Sequence, residues 1–454
     1  MKFSLSLIVA TLATAFAGQA MAAVSADEAK QLGNALTMTG AEKAANKDGT
    51  IPAFTGTPIA APADFKPGSG IRPDPFASEK PRVVITGKNV GEYSDKLTEG
   101  TKELLKRHAG FRVDVYPTHR TMVLPKQVLE NSQKNATAAK TLEGGLGLEN
   151  ALPGVPFPIP KTGNEAMWNH LVRYQSVGLH AKFDSWNVDS AGVASLASQG
   201  EANYEWPTYT PAKISTIMKG DDPYWRLKLQ YHGPARRAGE ALMLVDSVNP
   251  LEQGRRAWQY LPGQRRVKLA PDVAYDTPNP GSAGASTYDD SQVFNGAMDR
   301  FDFKLVGKKE MIVPYNAYRL AYHPKMEDIT TPNFVNPDRM RWELHRVWVV
   351  EATLKPGKRH VYSKRVFYLD EDSWNALASD QYDARGQLYR SGFMAPTYSY
   401  DAGAISSDTQ MFYDFVSGSY AVLGLFGKYF LRHRTDGLPA NQWSPESLSG
   451  TGVR

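Results

Sequence analysis

The side chains that could perform catalysis or bind a metal are scattered along this sequence. It has no cysteine, which excludes thiolate nucleophiles and thiolate metal ligands. Its nine histidines form no His-x-His or His-x-x-x-His pair, the spacings that bring two imidazoles together on one element. It also lacks the Gly-x-Ser-x-Gly motif of a serine hydrolase. We therefore expect no catalytic residue, no cofactor and no metal site, and a periplasmic hydrolase is the weakest functional hypothesis.

Consecutive acidic residues occur at Asp370, Glu371 and Asp372, directly after a predicted strand. They lack the alternating oxygen ligands and the terminal glutamate of a calcium-binding loop. Acidic residues at the end of a strand usually lie in a solvated turn. We adopt that interpretation and expect no calcium site here.

Paired arginines suggest a different chemistry, which is the binding of anions. Arg236-Arg237, Arg255-Arg256 and Arg265-Arg266 each lie beside a predicted turn. If the three turns met on one rim, their guanidinium groups could bind a phosphate or carboxylate headgroup. The alternative is a solvated sheet edge that discourages aggregation. We name Arg255 and Arg256 as candidate ligand-binding residues.

These pairs accompany an antiparallel meander that is predicted between Tyr224 and Pro271. In its first run, large apolar residues alternate with polar ones, as in a strand with one buried face. Turn signals such as Gly233-Pro234 and Asn249-Pro250 separate this run from the next ones. Apolar side chains on one face of such a sheet could hold a ligand by contact and desolvation. The candidate lining residues are Trp225, Leu227, Leu229, Trp258 and Tyr260.

Strand-like runs continue almost to the C terminus and include Tyr315–His323 and Arg341–Leu354. About a dozen sequential strands are too many for one flat sheet, so the sheet should curl strongly. We predict an α+β, mainly β fold, a strongly curved antiparallel sheet forming an incomplete β-barrel. Helices predicted in Ser25–Lys47, in Gly91–His108 and from Asn164 onward would plug its concave face. With 454 residues, two domains remain an alternative.

The first residues have the features of a secretory signal peptide. Lys2 precedes an apolar run, and Ala20-Met21-Ala22 is a small-x-small cleavage site, so the periplasmic form should begin at Ala23. The absence of cysteine there removes the thiol needed for lipidation. We divide the chain into a signal peptide (1–22), a helix with a proline-rich extended arm (23–85), a curved half-barrel with inserted helices (86–432) and a polar C-terminal tail (433–454).

Several unusual strings resemble one bacterial family of exported proteins, the domain of unknown function 1329. They are the run Gln253–Val267, the short strings Gly40–Lys43 and Asn46–Pro52, and the segment Tyr368–Arg390. The resemblance covers essentially the whole mature chain. It implies a fold similar to the lipoprotein carriers LolA and LolB, with helices in the mouth of an incomplete barrel, and hence a carrier of hydrophobic molecules. It assigns no catalytic residues.

The sequence thus predicts a periplasmic, non-enzymatic carrier or chaperone that binds a lipid-like ligand and serves transport between the inner and outer membranes. The alternative is an accessory subunit without cargo, whose arm Ile51–Pro81 docks to an export complex. The family resemblance implies two partners, an inner-membrane transporter of the resistance-nodulation-division (RND) type and an outer-membrane β-barrel protein. Nucleic acid is disfavoured by export and by a formal net charge of only +5.

Overall fold

The computed structural model describes residues 24–407 and 409–451. The predicted signal peptide and its cleavage site lie outside the described residues. Among the helices that are described, none is long and apolar enough to cross a membrane.

Helices are few in the described part of the chain. The α-helices of two turns or more span 99–107, 126–138 and 163–171, and each of them has buried residues. The α-helices are α1 (Ala26–Ala29), α2 (Glu99–Arg107), α3 (Lys126–Ala138), α4 (Gly163–Leu171) and α5 (Tyr318–Ala321).

Strands make up most of the regular secondary structure in the described part of the chain, and they begin at Val83. They are β1 (Val83–Ile85), β2 (Val113–Val115), β3 (Lys140–Leu142), β4 (Gly147–Glu149), β5 (Gly178–Val188), β6 (Ala194–Glu205), β7 (Pro223–Gly233), β8 (Ala241–Ser247), β9 (Arg256–Leu261), β10 (Arg266–Leu269), β11 (Phe301–Pro314), β12 (Trp342–Leu354), β13 (Lys364–Asp370), β14 (Ala376–Tyr382), β15 (Leu388–Met394), β16 (Thr397–Ser399), β17 (Ala404–Ser406), β18 (Gln410–Asp414) and β19 (Ser419–Arg434).

One sheet of 15 strands organises the molecule. Its order is β1-β2-β12-β13-β14-β15-β18-β19-β5-β6-β7-β8-β9-β10, and β11 pairs with the other side of β12. All of these pairs are antiparallel except β2 with β12, so the sheet is mixed. Within the described residues, β10 pairs with β9 and β11 with β12, but β10 and β11 do not pair with each other. The fold is therefore mainly β, and its large sheet is not closed into a barrel.

Two local predictions differ from the structure because short-range conformation overrides periodicity. The helix predicted for Ser25–Lys47 has the expected capping box between Ser25 and Glu28, yet it ends after one turn as α1. Gly33 and Gly40 then adopt φ values of 85° and 92°, which a helix interior does not permit. The strand predicted for Tyr315–His323 is also wrong, because its centre forms α5.

Part of the polar face of β7 is covered by the C-terminal segment rather than by solvent. The Arg226 guanidinium lies 4.4 Å from the Trp443 ring centroid. Lys228 Nζ donates to the Ser447 carbonyl oxygen at 3.1 Å. The period-2 pattern of β7 is thus confirmed, and its polar face is covered at Arg226 and Lys228 but exposed at His232. We call this the outer face of the sheet, and the opposite one, which joins the main hydrophobic core, the inner face.

The segment between α1 and β1 lies against the body of the protein. Residues 51–82 contain no helix or strand. Arg72 is 1% exposed, and its Nε and Nη2 donate to the Asp401 carboxylate at 2.6 and 3.2 Å. Arg72 Nη1 also donates to the Leu431 carbonyl at 2.9 Å, and Leu431 N donates to the Gly70 carbonyl at 2.8 Å. A buried, fully paired arginine thus fixes the middle of the arm.

A candidate ligand cavity on the inner face of the sheet

A cavity lies on the inner face of β5 to β8 and has a volume of about 100 Å³, measured as space for the centres of water-sized molecules. One water needs roughly 10–15 Å³ on this measure, so the cavity admits a larger group. The main wall is β7, because alternate side chains of a strand point to the same face. From the sheet it is lined by Trp225, Leu227, Leu229 and Tyr231 of β7, Leu242 and Leu244 of β8, Ala181, Phe183 and Ser185 of β5, Ser198, Ala202 and Tyr204 of β6, Gln410 of β18, and Leu423, Gly424 and Phe426 of β19.

A loop between β10 and β11 forms the cover of the cavity. It contributes Asn279, Gly281, Tyr288 and Ser291 to the lining. Two 3₁₀ turns, Pro280–Ser282 and Tyr288–Asp290, shape this part of the loop. We expected helices to plug the concave face, but the lining residues from outside the sheet are Arg255 and residues in or beside these 3₁₀ turns.

Buried ion pairs with Arg365 of β13 hold the covering loop in place. Asp289 and Asp290 are 2% and 0% exposed, and Arg365 of β13 donates to them at 3.0 and 2.8 Å. His360 Nε2 lies 3.0 Å from Asp289 Oδ2, the same oxygen that accepts from Arg365. Burial alone would raise the pKa of Asp289, but Arg365 and His360 together hold it well below its ordinary value.

The lining combines aromatic and aliphatic side chains with polar ones, which include serine and tyrosine hydroxyls and the amides of Asn279 and Gln410. Trp225 is 1% exposed, and its indole N–H is buried without a hydrogen-bond partner. An unpartnered buried donor costs free energy until an acceptor reaches it. Among the described lining residues, Arg255 is the one with a formal charge. The aromatic and aliphatic part of the lining, together with the free indole N–H of Trp225, suits a largely hydrophobic ligand that carries a hydrogen-bond acceptor.

Arg255 is paired with a carboxylate inside the sheet. Its Nε and Nη2 donate to the two Asp246 carboxylate oxygens at 2.8 and 2.6 Å, and both side chains are less than a tenth exposed. Burial opposes the charge of Arg255, but Asp246 outweighs it and raises the pKa of the guanidinium. Arg255 Nη2 also donates to the Asn295 carbonyl at 3.0 Å. The charge of Arg255 is thus already compensated.

The remaining predicted residues lie on the outer face. Trp258 and Tyr260 pack with Trp443 of the C-terminal segment, and Arg256 shares their side of β9. The reason is the register, in which Leu244 on the inner face of β8 pairs with Ala257. Both faces of β9 carry apolar residues, so its sequence pattern did not distinguish them.

The three arginine pairs do not meet on one rim. The register Ala241↔Tyr260 places the β7–β8 turn, with Arg236-Arg237, at the same end of the meander as the β9–β10 turn. Arg256 pairs with Val245 at the opposite end of the meander. Successive turns of an antiparallel meander alternate between its two ends, so the single-rim hypothesis is wrong. Arg237 is paired separately, with Glu240 at 3.1 Å.

Several lining residues were missed by the sequence analysis. Phe183 and Tyr204 face the cavity from β5 and β6, and Phe426 faces it from β19. The alternation of apolar and polar residues around Phe183 could have indicated a lining residue. However, Lys182 and Asp184 on either side make this part of β5 look polar in the sequence. The long-range pairing of β19 with β5 brings these segments together.

A family model described as a protein of unknown function, DUF1329, matches residues 84–449. This chain belongs to the DUF1329 family. An uncharacterized protein of Pseudomonas aeruginosa is 42% identical over 415 residues, which is 90% of each chain. In this DUF1329 protein every lining residue of the cavity falls within the matched range.

The solved structures that match part of this chain include another member of the family. A DUF1329 protein from Desulfovibrio piger has 15% identity and a TM-score of 0.41, covering 60% of this chain and 92% of its own. A LolA superfamily protein from Nitrosomonas europaea has 10% identity and a TM-score of 0.38, covering 63% of this chain and 100% of its own.

Proposed function

We propose that this DUF1329 protein is a periplasmic carrier or chaperone that binds a lipid-like ligand in the inner-face cavity. The observation that supports this most directly is the wall of Trp225, Leu227 and Leu229, with Phe183 and Tyr204 beside it. Contact with these side chains would desolvate an acyl chain, which stabilises a complex by roughly 0.8 kcal/mol per buried CH₂ group.

The chemistry of the lining favours binding over catalysis. The described lining residues include no carboxylate, imidazole or primary amine that could transfer a proton. Arg255 is the charged exception, and it is paired with Asp246. The indole N–H of Trp225 is therefore a better candidate than the paired Arg255 to donate to the acceptor oxygen of a ligand headgroup.

The contacts of the arm argue against the accessory-subunit alternative. That hypothesis requires the arm Ile51–Pro81 to engage another protein. The arm is instead bound to its own chain through Arg72, which pairs with Asp401. Releasing the arm would break the two hydrogen bonds between the buried Arg72 and Asp401, which costs free energy.

A pair of tryptophan substitutions tests the carrier function. Leu229 faces the cavity and Gln230, the next residue on β7, faces away from it. Leu229→Trp should fill the cavity and weaken binding of an environment-sensitive fluorescent fatty acid by at least about tenfold, which is 1.4 kcal/mol. The matched control Gln230→Trp should leave the affinity within about twofold, since less than 0.5 kcal/mol is expected of a change outside the site.

The two variants also separate the hypotheses. Equal affinity of both variants and the unsubstituted protein would place the fatty acid outside this cavity. Absence of binding across several acyl-chain lengths would contradict the carrier function and favour the accessory subunit. Organic-solvent extraction of protein purified from periplasm, followed by mass spectrometry, would identify a co-purified lipid.

Transport between the membranes is part of the same proposal. The carrier would exchange its ligand with an RND-type inner-membrane transporter and an outer-membrane β-barrel protein, the partners implied by the family resemblance. Crosslinking in cells should recover either partner with the carrier. If the carrier forms crosslinks but neither partner is recovered with it, the proposal is limited to ligand binding.

A further inference from the structure

A buried cluster of ionisable side chains lies outside the cavity, where the end of β13 meets β12. Asp370, Glu371 and Asp372 are 0%, 2% and 4% exposed, so the expectation of a solvated turn is wrong. One imidazole nitrogen of His345 on β12, one oxygen of Asp370 and one of Asp372 lie within 4.8 Å of one another. The fold thus assembles one imidazole and two carboxylates, a set of potential ligands that the linear spacing did not reveal.

Two of the acidic residues in this cluster have cationic partners. Arg120 donates to the two oxygens of Asp372 at 2.9 and 2.7 Å. Glu371 lies 3.3 Å from a nitrogen of Arg120, 3.3 Å from Arg346 and 2.9 Å from Lys308. The attraction of these cations offsets part of the desolvation cost of burying the two carboxylates.

Asp370 is different, because one of its oxygens is unsatisfied. Its Oδ2 accepts from the Tyr315 hydroxyl at 2.9 Å and from Ser373 N and Oγ at 3.0 and 2.5 Å. Its Oδ1 is fully buried and accepts no hydrogen bond. Leaving a buried carboxylate oxygen without a donor or cation is expensive, and such atoms in native structures require an explanation.

We propose that Asp370, His345 and Asp372 bind a divalent first-row transition-metal cation, with Zn²⁺ as the representative ion. The free Oδ1 of Asp370 would supply one ligand. Each carboxylate oxygen has two lone pairs, so Asp372 can ligate the ion while it keeps its contacts with Arg120. One imidazole with two carboxylates suits Zn²⁺ or Mn²⁺, whereas Ca²⁺ requires six to eight oxygen ligands.

The surroundings of His345 resemble the outer shell of a metal site. Its Nε2 lies 3.0 Å from Glu343 Oε2, and its ring stacks on Tyr315 with 3.7 Å between the ring centroids. A carboxylate on one ring nitrogen fixes the imidazole tautomer and leaves the lone pair of the other nitrogen for an ion. The stacked Tyr315 also donates to Asp370, so one side chain orients two of the proposed ligands.

An ion could reach the cluster from a neighbouring cleft. Asp372 lines this cleft together with Lys43, Phe54 and Met122, and its volume is about 210 Å³ for the centres of water-sized molecules. Because its ligands come from β12 and from the end of β13, a bound ion would link these two segments. The proposed role of the ion is therefore structural.

Metal binding to the full mature protein tests this proposal. Protein stripped with a chelator and then dialysed against Zn²⁺ should retain one equivalent by elemental analysis and unfold at a higher temperature. Asp370→Asn should lose the equivalent and the thermal shift. His345→Gln should do the same, which keeps the test decisive if Asp370→Asn does not fold. Retention of the equivalent by either folded variant would overturn the proposal.

A control variant removes an exposed cluster that could bind Zn²⁺ at the surface. His180 Nε2 and His232 Nε2 lie 3.5 and 3.9 Å from the Glu201 carboxylate. Glu201→Gln should retain the equivalent and the thermal shift. Their loss in Glu201→Gln would assign the ion to the surface and overturn the proposal. Displacement of Zn²⁺ by a tenfold excess of Ca²⁺ would overturn the assignment of the ion class.

Discussion

At the residue scale, the adjacent arginines Arg255 and Arg256 have different roles although they are of one residue type. Arg255 is buried and forms two hydrogen bonds with Asp246, whereas Arg256 is partly exposed on the outer face. An adjacent pair of one residue type thus contains one structural ion pair and one surface cation. Burial and the nearest carboxylate determine the role of each guanidinium.

Replacing Arg255 should destabilise the protein far more than replacing Arg256. Arg255→Gln leaves the Asp246 carboxylate buried and unpaired, so we expect a loss of about 3–5 kcal/mol in unfolding free energy. The control Arg256→Gln should cost less than about 1 kcal/mol, because it breaks no ion pair. Urea denaturation measures both. The double change Arg255→Gln with Asp246→Asn should recover part of the loss, and full additivity would contradict the coupling.

At the element scale, the arm depends on Arg72 for its attachment. Arg72→Ala removes the bidentate contact with Asp401 and should increase the population in which the arm is open. Cleavage of residues 51–82 in limited proteolysis should accelerate at least about tenfold, because proteolysis follows the population of the open form. Arg82→Ala, at an exposed position of the same segment, is the control and should be cleaved at the original rate. Equal rates for both variants would show that other contacts hold the arm.

The loop that covers the cavity should respond to acid through Asp289. Its pKa is lowered in the folded state, so its ionised form stabilises the protein above the unfolded value near 3.9, and this stabilisation is lost as pH falls below that value. Its charged and titratable neighbours are Arg365, His360 and Asp290.

Urea denaturation between pH 6 and pH 3 measures this contribution. The difference in unfolding free energy between the original protein and Asp289→Asn should shrink by up to about 1.4 kcal/mol per pH unit below pH 4. Asp302→Asn, which changes an exposed carboxylate, should follow the original protein in parallel. A difference that is independent of pH would mean that Asp289 contributes through packing alone.

At the scale of the whole molecule, the cavity joins segments that are distant in sequence. Its lining extends from Ala181 on β5 to Phe426 on β19, so a ligand would contact neighbouring strands of the large sheet that are far apart in the chain. A ligand that binds only the folded protein should therefore stabilise the entire sheet. At a fatty-acid concentration 100 times its Kd, the unfolding free energy should rise by about 2.7 kcal/mol.

Thermal and urea unfolding with increasing fatty acid measure this linkage. The control Leu229→Trp should show a reduced shift at the same concentrations, because its cavity is filled. An equal shift in that variant would show that stabilisation arises from another site. Stability that does not change with ligand concentration in the original protein would contradict binding to the folded state.

The sequence by itself determined the features that depend on neighbours along the chain. The capping box of Ser25 and Glu28 and the alternation from Trp225 to Tyr231 follow from local geometry, and both are confirmed. The mainly β class followed from many such runs, and the family followed from specific strings that the family match confirms. Each of these inferences requires only residues close together in sequence.

The tertiary structure alone decided which faces and charges meet. The register of β9 against β8 turned Trp258 and Tyr260 outward, and nothing within β9 distinguishes its two apolar faces. The pairing of β12 with β13 brought His345 to Asp370, residues whose separation carries no metal-binding spacing. Burial and the approach of groups from distant strands are properties of the packed molecule, and they set both hydrophobic contact and the cost of an unpaired charge.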